Sequence, residues 1–231
     1  MKVEILEYVE GAKKAKGIAV IIDVFRAFSV DCYAFDSGVA RLIATGEVED
    51  AFRMKEKYKG SLLAGERNEK KIDGFDFGNS PTEIIKADLK GKTLIHTTSA
   101  GTQGLINATR ADMVLTGSLV NADAVANYIK AINPEIVSLV AMGYRAKISA
   151  EEDLLCARYI SSLLKDEDPV EKEKIPDLRI TSGKRFFIPE NIDFSPPTDF
   201  FLCTMLNRFN FVIRAITRPD GNVNLVRIDM E

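Results

Sequence analysis

The sequence predicts an α/β protein with three layers, in which helices cover both faces of a mostly parallel or mixed sheet. Short apolar segments alternate with longer segments of helical periodicity over residues 18–164, the pattern of strand–helix units that share one sheet. Near the end, two strand-like segments flank the turn formers Pro219-Asp220-Gly221-Asn222, which predicts a β-hairpin. We therefore expect a smaller C-terminal α+β portion that ends in this hairpin.

The individual elements follow from the length and the boundaries of each segment. Strands are predicted where a short apolar run is bounded by polar or turn residues, at residues 18–23, 41–45, 61–64, 93–97, 113–116 and 136–141. Helices are predicted between them at residues 26–37, 47–58, 100–109, 118–131 and 149–164, and Ser149 with Glu152 has the spacing of a capping box. We expect a main α/β domain over residues 1–165. Residues 166–231 are expected to form a charged, proline-interrupted linker, a helix and the hairpin, packed on that domain.

Two stretches of the chain have the same order of features. Residues 18–51 and 92–122 each give a strand, a polar turn, a helix, a strand that ends in Thr-Gly and a second helix. If they are copies, Asp23–Arg26 and Thr97–Thr102 occupy equivalent strand ends and face one cleft, where open α/β sheets bind ligands. Any two α/β units share this much, so an unrelated pair explains the pattern as well.

Composition and charge exclude several classes of protein. The 231 residues carry 31 basic and 34 acidic side chains, for a net charge of −3, which argues against a nucleic-acid surface. No apolar run approaches the roughly 18 residues of a membrane span, and the start of the chain lacks the pattern of a signal peptide. The three cysteines are odd in number and lie in apolar surroundings, so we expect buried free thiols in a cytoplasmic protein with no membrane partner.

Acids and arginines follow two of the predicted strands. Asp23 and Arg26 lie where a buried strand gives way to a helix, and Glu66 and Arg67 follow another strand. A carboxylate and a guanidinium at such a junction can bind a metal ion and a phosphoryl oxygen respectively. A capping Asp beside a solvated Arg explains the first pair equally well.

The segment Thr97-Thr98-Ser99-Ala100-Gly101-Thr102 concentrates hydroxyl groups where a strand enters a helix. Side-chain OH and backbone N–H groups in this arrangement can form a neutral cradle for a phosphate, although no Walker loop is present. A capped turn is the plainer reading. His96, the only histidine of the chain, lies inside the strand and is expected to point into the structure.

Two further segments have a structural and a functional reading. In Gly74–Pro81, Asn79 and Ser80 are placed to cap a helix that begins with Pro81, which leaves N–H groups aimed at an anion. The acids of Glu151-Glu152-Asp153 favour a helix N-terminus through the macrodipole. They can equally serve acid–base chemistry or a metal ion.

Most covalent phosphatase chemistries are excluded by simple spacing. A cysteine phosphatase needs an Arg six residues after its Cys, and here those positions hold Gly38, Ser162 and Phe209. The aspartyl-phosphate route usually shows Asp-x-Asp after the first strand, and here Phe25 fills the second place. Attack by water with the help of Mg²⁺, which prefers one or two carboxylates plus substrate oxygens, fits the remaining acids.

At these same segments the chain resembles the 2-phosphosulfolactate phosphatase family. The family pattern Asp-Val-Phe-Arg-Ala, Gly-Glu-Arg, Gly-Phe-Asp-x-Gly-Asn-Ser-Pro, Thr-Thr-x-x-Gly-Thr and Glu-Asp-x-Leu-Cys-Ala stands here, in order, at residues 23–27, 65–67, 74–81, 97–102 and 152–157. The chain departs from the family at Asn68 and Glu69, where glycines are frequent, at Ala100, where Asn is common, and by one extra residue in 149–153.

The resemblance implies a Mg²⁺-dependent phosphatase that converts 2-phosphosulfolactate to sulfolactate and phosphate, a step toward coenzyme M. By matched motif, the residues expected to bind metal or activate water are Asp23, Glu66 and Asp76; those expected to clamp oxyanions are Arg26 and Arg67; those expected to line the phosphate site are Asn79, Ser80, Thr97, Thr98, Gly101 and Thr102; those expected to add acid–base or metal contacts are Glu152 and Asp153. The expected partner is a small anionic phosphorylated substrate, and a homodimer is possible. Two alternatives stay open: a phosphatase for another small phospho-acid, and a non-catalytic anion-binding protein.

Overall fold

The structure, a computed structural model, describes residues 1–230. These residues form one mixed sheet of ten strands, with helices packed on it. The strands are β1 (Lys2–Glu7), β2 (Ile18–Ile22), β3 (Arg41–Ala44), β4 (Leu62–Arg67), β5 (Lys70–Lys71), β6 (Thr93–Thr97), β7 (Met113–Gly117), β8 (Ile136–Ala141), β9 (Phe211–Thr217) and β10 (Val223–Asp229). The helices are α1 (Tyr8–Lys14), α2 (Ala27–Asp36), α3 (Val48–Lys57), α4 (Pro81–Ile84), α5 (Gly101–Asn107), α6 (Ala122–Ile132), α7 (Glu151–Leu164) and α8 (Pro197–Cys203).

The α/β class and the three layers are confirmed. Strand β2 is buried along its whole length, and successive side chains enter different cores: Ile21 joins a cluster around Phe28, whereas Val20 and Ile22 join a cluster around Leu155. Because side chains alternate across a strand, the two clusters lie on opposite faces of the sheet. The predicted strands and helices are present with boundaries shifted by a few residues. Among residues 1–230, no helix is both long enough and apolar enough to cross a membrane.

The position of the hairpin differs from the prediction. The strand order is β1-β8-β2-β7-β9-β10-β3-β6-β4-β5, so β9 and β10 lie in the middle of the sheet. Strand β9 pairs antiparallel with β7, and β10 pairs antiparallel with β3. The hairpin therefore joins two parallel groups, β1-β8-β2-β7 and β3-β6-β4, and does not pack on a finished domain.

The two repeated stretches occupy equivalent places on either side of this hairpin. Counted outward from it, β7, β2 and β8 correspond to β3, β6 and β4, which is the relation of a pseudo-twofold axis through the hairpin. The two parallel groups consequently run in opposite senses in the sheet. This corrects the expectation that the ends of β2 and β6 share one edge of a parallel sheet.

The ends of β2 and β6 nevertheless meet. Five inter-strand steps separate these strands, and a sheet twist of roughly 20–25° per step turns them by roughly 100–125° relative to each other. Helices α2 and α5 pack between the two groups, in a core where Phe28 contacts residues from both. A Cβ on Gly104 of α5 would lie 2.5 Å from Ile21 Cγ2, so the glycine lets this helix rest directly on β2.

The charged, proline-interrupted segment after residue 165, which was predicted as a linker, contains helical turns. Three 3₁₀ segments, Val170–Arg179, Ser182–Phe187 and Pro189–Asn191, bury Leu178 and Phe186. Phe186 packs edge-on against Phe25, with ring centroids 5.1 Å apart. These apolar side chains are separated by charged residues in the sequence, so their packing was not predicted. They hold this segment over the start of α2.

Two smaller expectations have mixed outcomes. The cysteines are free and buried, as predicted. The capping box is wrong: α7 has Ala150 at its N-cap, and Ser149 Oγ donates to Glu7 Oε2 at 2.7 Å. Strand β1, whose alternating pattern was not recognised as a strand, pairs in parallel with β8.

Candidate active site

A pocket lies where the ends of β2, β4, β6 and β8 approach the 3₁₀ segment Ser182–Phe187. It encloses about 400 Å³ of space that no protein atom fills, part of it open to solvent. Its lining consists of Asp23, Phe25, Arg26, Glu66, Glu69, Asn79, Ser99, Ala100, Gly143, Tyr144, Arg145 and Arg185.

Asp23 is held at the end of β2 by the first turn of α2. Its Oδ1 accepts the Ala27 N–H at 3.1 Å, whereas its Oδ2 makes no hydrogen bond within residues 1–230. Burial raises the pKa of Asp23 to about 6, and the nearby charges of Glu66 and Glu152 act in the same direction. The carboxyl group therefore titrates close to neutral pH, as acid–base residues at active sites do.

Glu66 connects two backbone segments around the pocket. Its Oε1 accepts the Ser99 N–H at 2.7 Å, and its Oε2 accepts the Glu69 N–H at 2.8 Å. These bonds fix the carboxylate between the loop after β6 and the turn after β4. Asp23 and Glu66 thus reach one pocket from the two parallel groups of the sheet.

Arg26 reaches the pocket, but most of its donors are already used. Nη1 donates to Asp199 Oδ2 at 2.6 Å and to the Phe194 carbonyl at 2.7 Å. The Arg26 and Asp199 side chains are only 3% and 0% exposed, so this is a buried ion pair. Arg26 therefore anchors helix α8 to the site as well as adding positive charge to it.

Arg67 does not line the pocket. Its Nη2 donates to the Gly46 carbonyl at 3.0 Å and to Thr97 Oγ1 at 3.1 Å. These bonds tie the ends of β3, β4 and β6 together, so the expected role of Arg67 as an oxyanion clamp stays a prediction.

In the loop of residues 97–102, the threonine side chains do not line the pocket. Thr98 Oγ1 accepts the Thr102 N–H at 3.2 Å, and Thr102 Oγ1 accepts the Thr98 N–H at 3.0 Å. These reciprocal bonds cap the start of α5, while Ser99 and Ala100 provide the lining. The plainer reading of this loop as a capped turn is the one that the geometry favours.

The segment before α4 contributes one residue to the pocket. Asn79 lines it, and Asn79 Oδ1 lies 3.3 Å from Nε2 of the buried His96. Ser80 caps α4, as predicted, and its Oγ donates to Asp199 Oδ1 at 2.8 Å. Asp76 is elsewhere, because its Oδ2 accepts the Leu63 N–H at 2.8 Å and pairs with Lys55 at 2.9 Å.

Glu152 and Asp153 do not line this pocket, although Glu152 lines an adjoining one together with Glu69, Tyr144 and Arg185. Asp153 accepts the N–H groups of Val24 and Gly143, both at 2.8 Å, and so joins the two loops that form the pocket wall. Burial raises its pKa well above the usual range, and the charges of Glu152 and Asp23 add to the shift. Burial also raises the pKa of Glu152, against the opposing effect of Arg185. Since neither side chain lines the pocket, we expect both to affect it indirectly, by holding the residues that do line it in place.

Sequence reasoning missed three charged residues of the pocket, Glu69, Arg145 and Arg185. Glu69 lies in the two-residue turn between β4 and β5, with φ +71°, beside Asn68 with φ +54°. Both values belong to a type I′ turn, in which a residue with a Cβ costs roughly 1–2 kcal/mol relative to glycine. The signal was the pair of non-glycine residues in a tight turn. Arg185 had no signal beyond its charge.

Gly101 sets the distance between the two halves of the site. A Cβ at this position would lie 2.8 Å from Ala27 Cβ and 2.9 Å from Asp23 Oδ2. We expect Gly101→Ala to cost about 1–3 kcal/mol of stability through overpacking. Turnover per folded molecule should fall by about 10²-fold, because α2 and α5 must separate. Urea unfolding and phosphate-release assays of the same preparation measure the two effects.

Gly78→Ala is the matched control for this substitution. The nearest atom to its added Cβ is the flexible end of Glu83, at 3.3 Å. Stability and turnover should both stay close to those of the unsubstituted protein. Equal losses in the two variants would contradict the assigned role of Gly101.

The acids of the pocket fit a sparsely coordinated Mg²⁺. Among residues 1–230, no group of three or more His, Cys, Asp or Glu side chains is arranged to hold a metal ion, so the expected trio of Asp23, Glu66 and Asp76 is corrected. Mg²⁺ commonly takes only one or two protein carboxylates and completes its shell with water and phosphate oxygens. Asp23 and Glu66 meet this smaller requirement, since a cation would relieve the desolvation and repulsion that raise the pKa of Asp23.

Comparison with known proteins identifies the family. A family model described as 2-phosphosulpholactate phosphatase matches residues 4–184. A probable 2-phosphosulfolactate phosphatase of Carboxydothermus hydrogenoformans is 40% identical over 172 residues, 74% of this chain and 71% of that relative. Proteins with the same description from Clostridium novyi (34% identical, covering 84% of this chain and 81% of the relative) and Clostridium acetobutylicum (36%, covering 83% and 82%) are also similar. The chain belongs to the 2-phosphosulfolactate phosphatase family of phosphoric monoester hydrolases.

Proposed function

We propose that this chain hydrolyses 2-phosphosulfolactate to sulfolactate and phosphate, with Mg²⁺, in a route of the coenzyme M type. The observation that carries the proposal is the pocket itself, where Asp23 and Glu66 meet the cations Arg26, Arg145 and Arg185. Carboxylates beside arginines suit a substrate that is a phosphate ester and an acid at once. The descriptions of the relatives name the same substrate.

The chemistry is attack of water on phosphorus, with cleavage of the bond between phosphorus and the ester oxygen, which leaves as the hydroxyl group of sulfolactate after taking a proton from solvent. Asp23 Oδ2 is the atom that we assign to orient the water and accept its proton, because Oδ1 is fixed by Ala27. A carboxyl group with a pKa of about 6 is largely ionised at neutral pH and still basic enough for this role. Glu66 would hold Mg²⁺ beside this base, and the ion would supply positive charge to the phosphoryl oxygens when bound.

Phosphate release from a panel of small phospho-acids tests the proposal. We expect 2-phosphosulfolactate to be hydrolysed with Mg²⁺, and activity to vanish in excess EDTA and return when Mg²⁺ is restored, because two carboxylates repel a phosphate dianion. Full activity in EDTA would contradict the metal assignment. A phosphoglycolate or phospholactate that is hydrolysed faster would replace the proposed substrate.

A further inference from the structure

Arg185 is held firmly at the wall of the pocket. Its guanidinium carbon lies 5.2 Å from the centroid of the Phe186 ring and 5.6 Å from that of Tyr144. Nη2 donates to the Phe25 carbonyl at 2.9 Å. Its Nε is buried and makes no hydrogen bond within residues 1–230, so the fold orients this cation without using all of its donors.

The third nitrogen of the Arg185 guanidinium, Nη1, pairs with the carboxylate of Glu69. Glu69 reaches Arg185 from the β4–β5 turn, where its φ of +71° would suit glycine better. Strand β5 has only two residues, both exposed, and the Glu69 side chain is itself 20% exposed. The carboxylate can therefore leave Arg185 by rotation of the Glu69 side chain, while the Glu69 N–H stays bonded to Glu66.

We propose that Arg185 is the subsite for one of the two acid groups that the substrate carries besides its phosphate, and that Glu69 occupies this subsite until that group replaces it. The inference rests on the proposed function and names the residue that recognises the second acid. A carboxylate or sulfonate presents the same anionic oxygens to a guanidinium as Glu69 does. One carboxylate or sulfonate replaces another, so Arg185 is paired with an anion before and after the exchange.

This arrangement has a consequence for substrate choice. A phosphate ester without a second acid group cannot displace Glu69 and gains no contact with Arg185. The pair therefore acts as a filter that favours phosphorylated acids over simple phosphomonoesters. Arg145, which is exposed and stacks over Tyr144 at 5.1 Å, lies at the same pocket, and no carboxylate of residues 1–230 pairs with it.

Calorimetric titration with sulfolactate tests the subsite without turnover, because this compound has two acid groups and no phosphate. Glu69→Gln keeps the size of the side chain and removes the competing charge, so binding should tighten by about three- to tenfold. Arg185→Gln should weaken binding by about tenfold or more. Arg185→Lys keeps the charge but loses the paired donors of the guanidinium, so it should bind sulfolactate less tightly than the unsubstituted protein and more tightly than Arg185→Gln.

Asn68→Gly is the matched control, because it relieves a positive φ in the same turn without touching Arg185. Its affinity for sulfolactate should stay within about twofold of the unsubstituted protein. If Glu69→Gln binds sulfolactate no more tightly than the unsubstituted protein, the proposed displacement is overturned, whether or not Arg185→Gln folds.

Kinetics separate this inference from the proposed function. The ratio of kcat/KM for 2-phosphosulfolactate to that for glycerol phosphate should rise in Glu69→Gln and fall by about tenfold or more in Arg185→Gln. Hydrolysis with an unchanged ratio would sink the subsite and leave the function standing. Sulfolactate binding that follows the predicted order, with no phosphate release from either ester, would sink the function and leave the subsite standing.

Discussion

Asp23→Asn is expected to abolish most of the activity and to stabilise the protein at pH 8. Loss of the pocket carboxylate should lower turnover by about 10²–10⁴-fold, the usual contribution of a general base. The pKa of Asp23 in the folded protein, about 6, lies above its ordinary value of 3.8. The folded protein therefore holds the proton more tightly than the unfolded chain, and its stability falls as the pH rises through this window.

Asparagine does not ionise, so it escapes this loss. We expect Asp23→Asn to gain about 1–3 kcal/mol at pH 8 in EDTA. The gain should shrink toward pH 4, where Asp23 is protonated in the folded protein. Urea unfolding at the two pH values measures the difference. A variant that is less stable at pH 8 would show that the carboxylate of Asp23 stabilises the fold.

Asp76→Asn is the matched control with the opposite sign. Partial burial raises the pKa of Asp76, but hydrogen bonds from the Leu63 N–H and Lys55 outweigh it and leave the pKa below its usual value. The stability that Asp76 contributes is present above its ordinary pKa and is lost as the pH falls through the lowered one. The variant should therefore be less stable at neutral pH and keep its activity.

The second large effect is expected from Asp199→Ala. Asp199 is fully buried, pairs with Arg26 at 2.6 Å, and accepts Ser80 Oγ at 2.8 Å and the Thr82 N–H at 2.9 Å. Its removal leaves the Arg26 guanidinium buried without a counter-charge. Breaking one side of such a pair costs about 3–5 kcal/mol. Urea unfolding at pH 7 should show this loss as a large fall in the midpoint.

Asp88→Ala provides the comparison for an exposed ion pair. Asp88 pairs with Lys92 at 2.9 Å, but its side chain is 80% exposed. Its loss should cost no more than about 1 kcal/mol, since water screens such pairs. If the two variants unfold at the same urea concentration, the buried pair is not the strut that the geometry indicates.

The sequence allowed the elements to be predicted, but not their arrangement. Periodicity located the strands and helices because each is decided by neighbouring residues. The central position of β9 and β10 depends on pairing with β7 and β3, which lie about a hundred residues or more earlier in the chain, and no local pattern encodes it. The repeated unit was the one sequence feature that bears on this arrangement. Two copies of the unit leave two inner sheet edges, and one hairpin can pair with both.

The site was predicted with the same limits. Asp23, Arg26, Glu66 and Asn79 reach the pocket, because strand ends and helix starts are readable from sequence. Arg67 lies outside the pocket because it donates to the Gly46 carbonyl and to Thr97 Oγ1, partners that no local pattern in the sequence shows. Arg185 was missed because it reaches the pocket through the packing of Phe186 on Phe25.

Because the central hairpin is the last part of the chain to be synthesised, the sheet can be completed only at the end of synthesis. While the chain leaves the ribosome, the strands of both parallel groups emerge before Phe211–Thr217 and Val223–Asp229. Until then, β7 and β3 each present an unpaired edge of the kind that recruits other strands. Until its last two strands are synthesised, the nascent protein therefore carries two partial sheets with unpaired edges. A ribosome that stalls before these strands leaves an aggregation-prone intermediate.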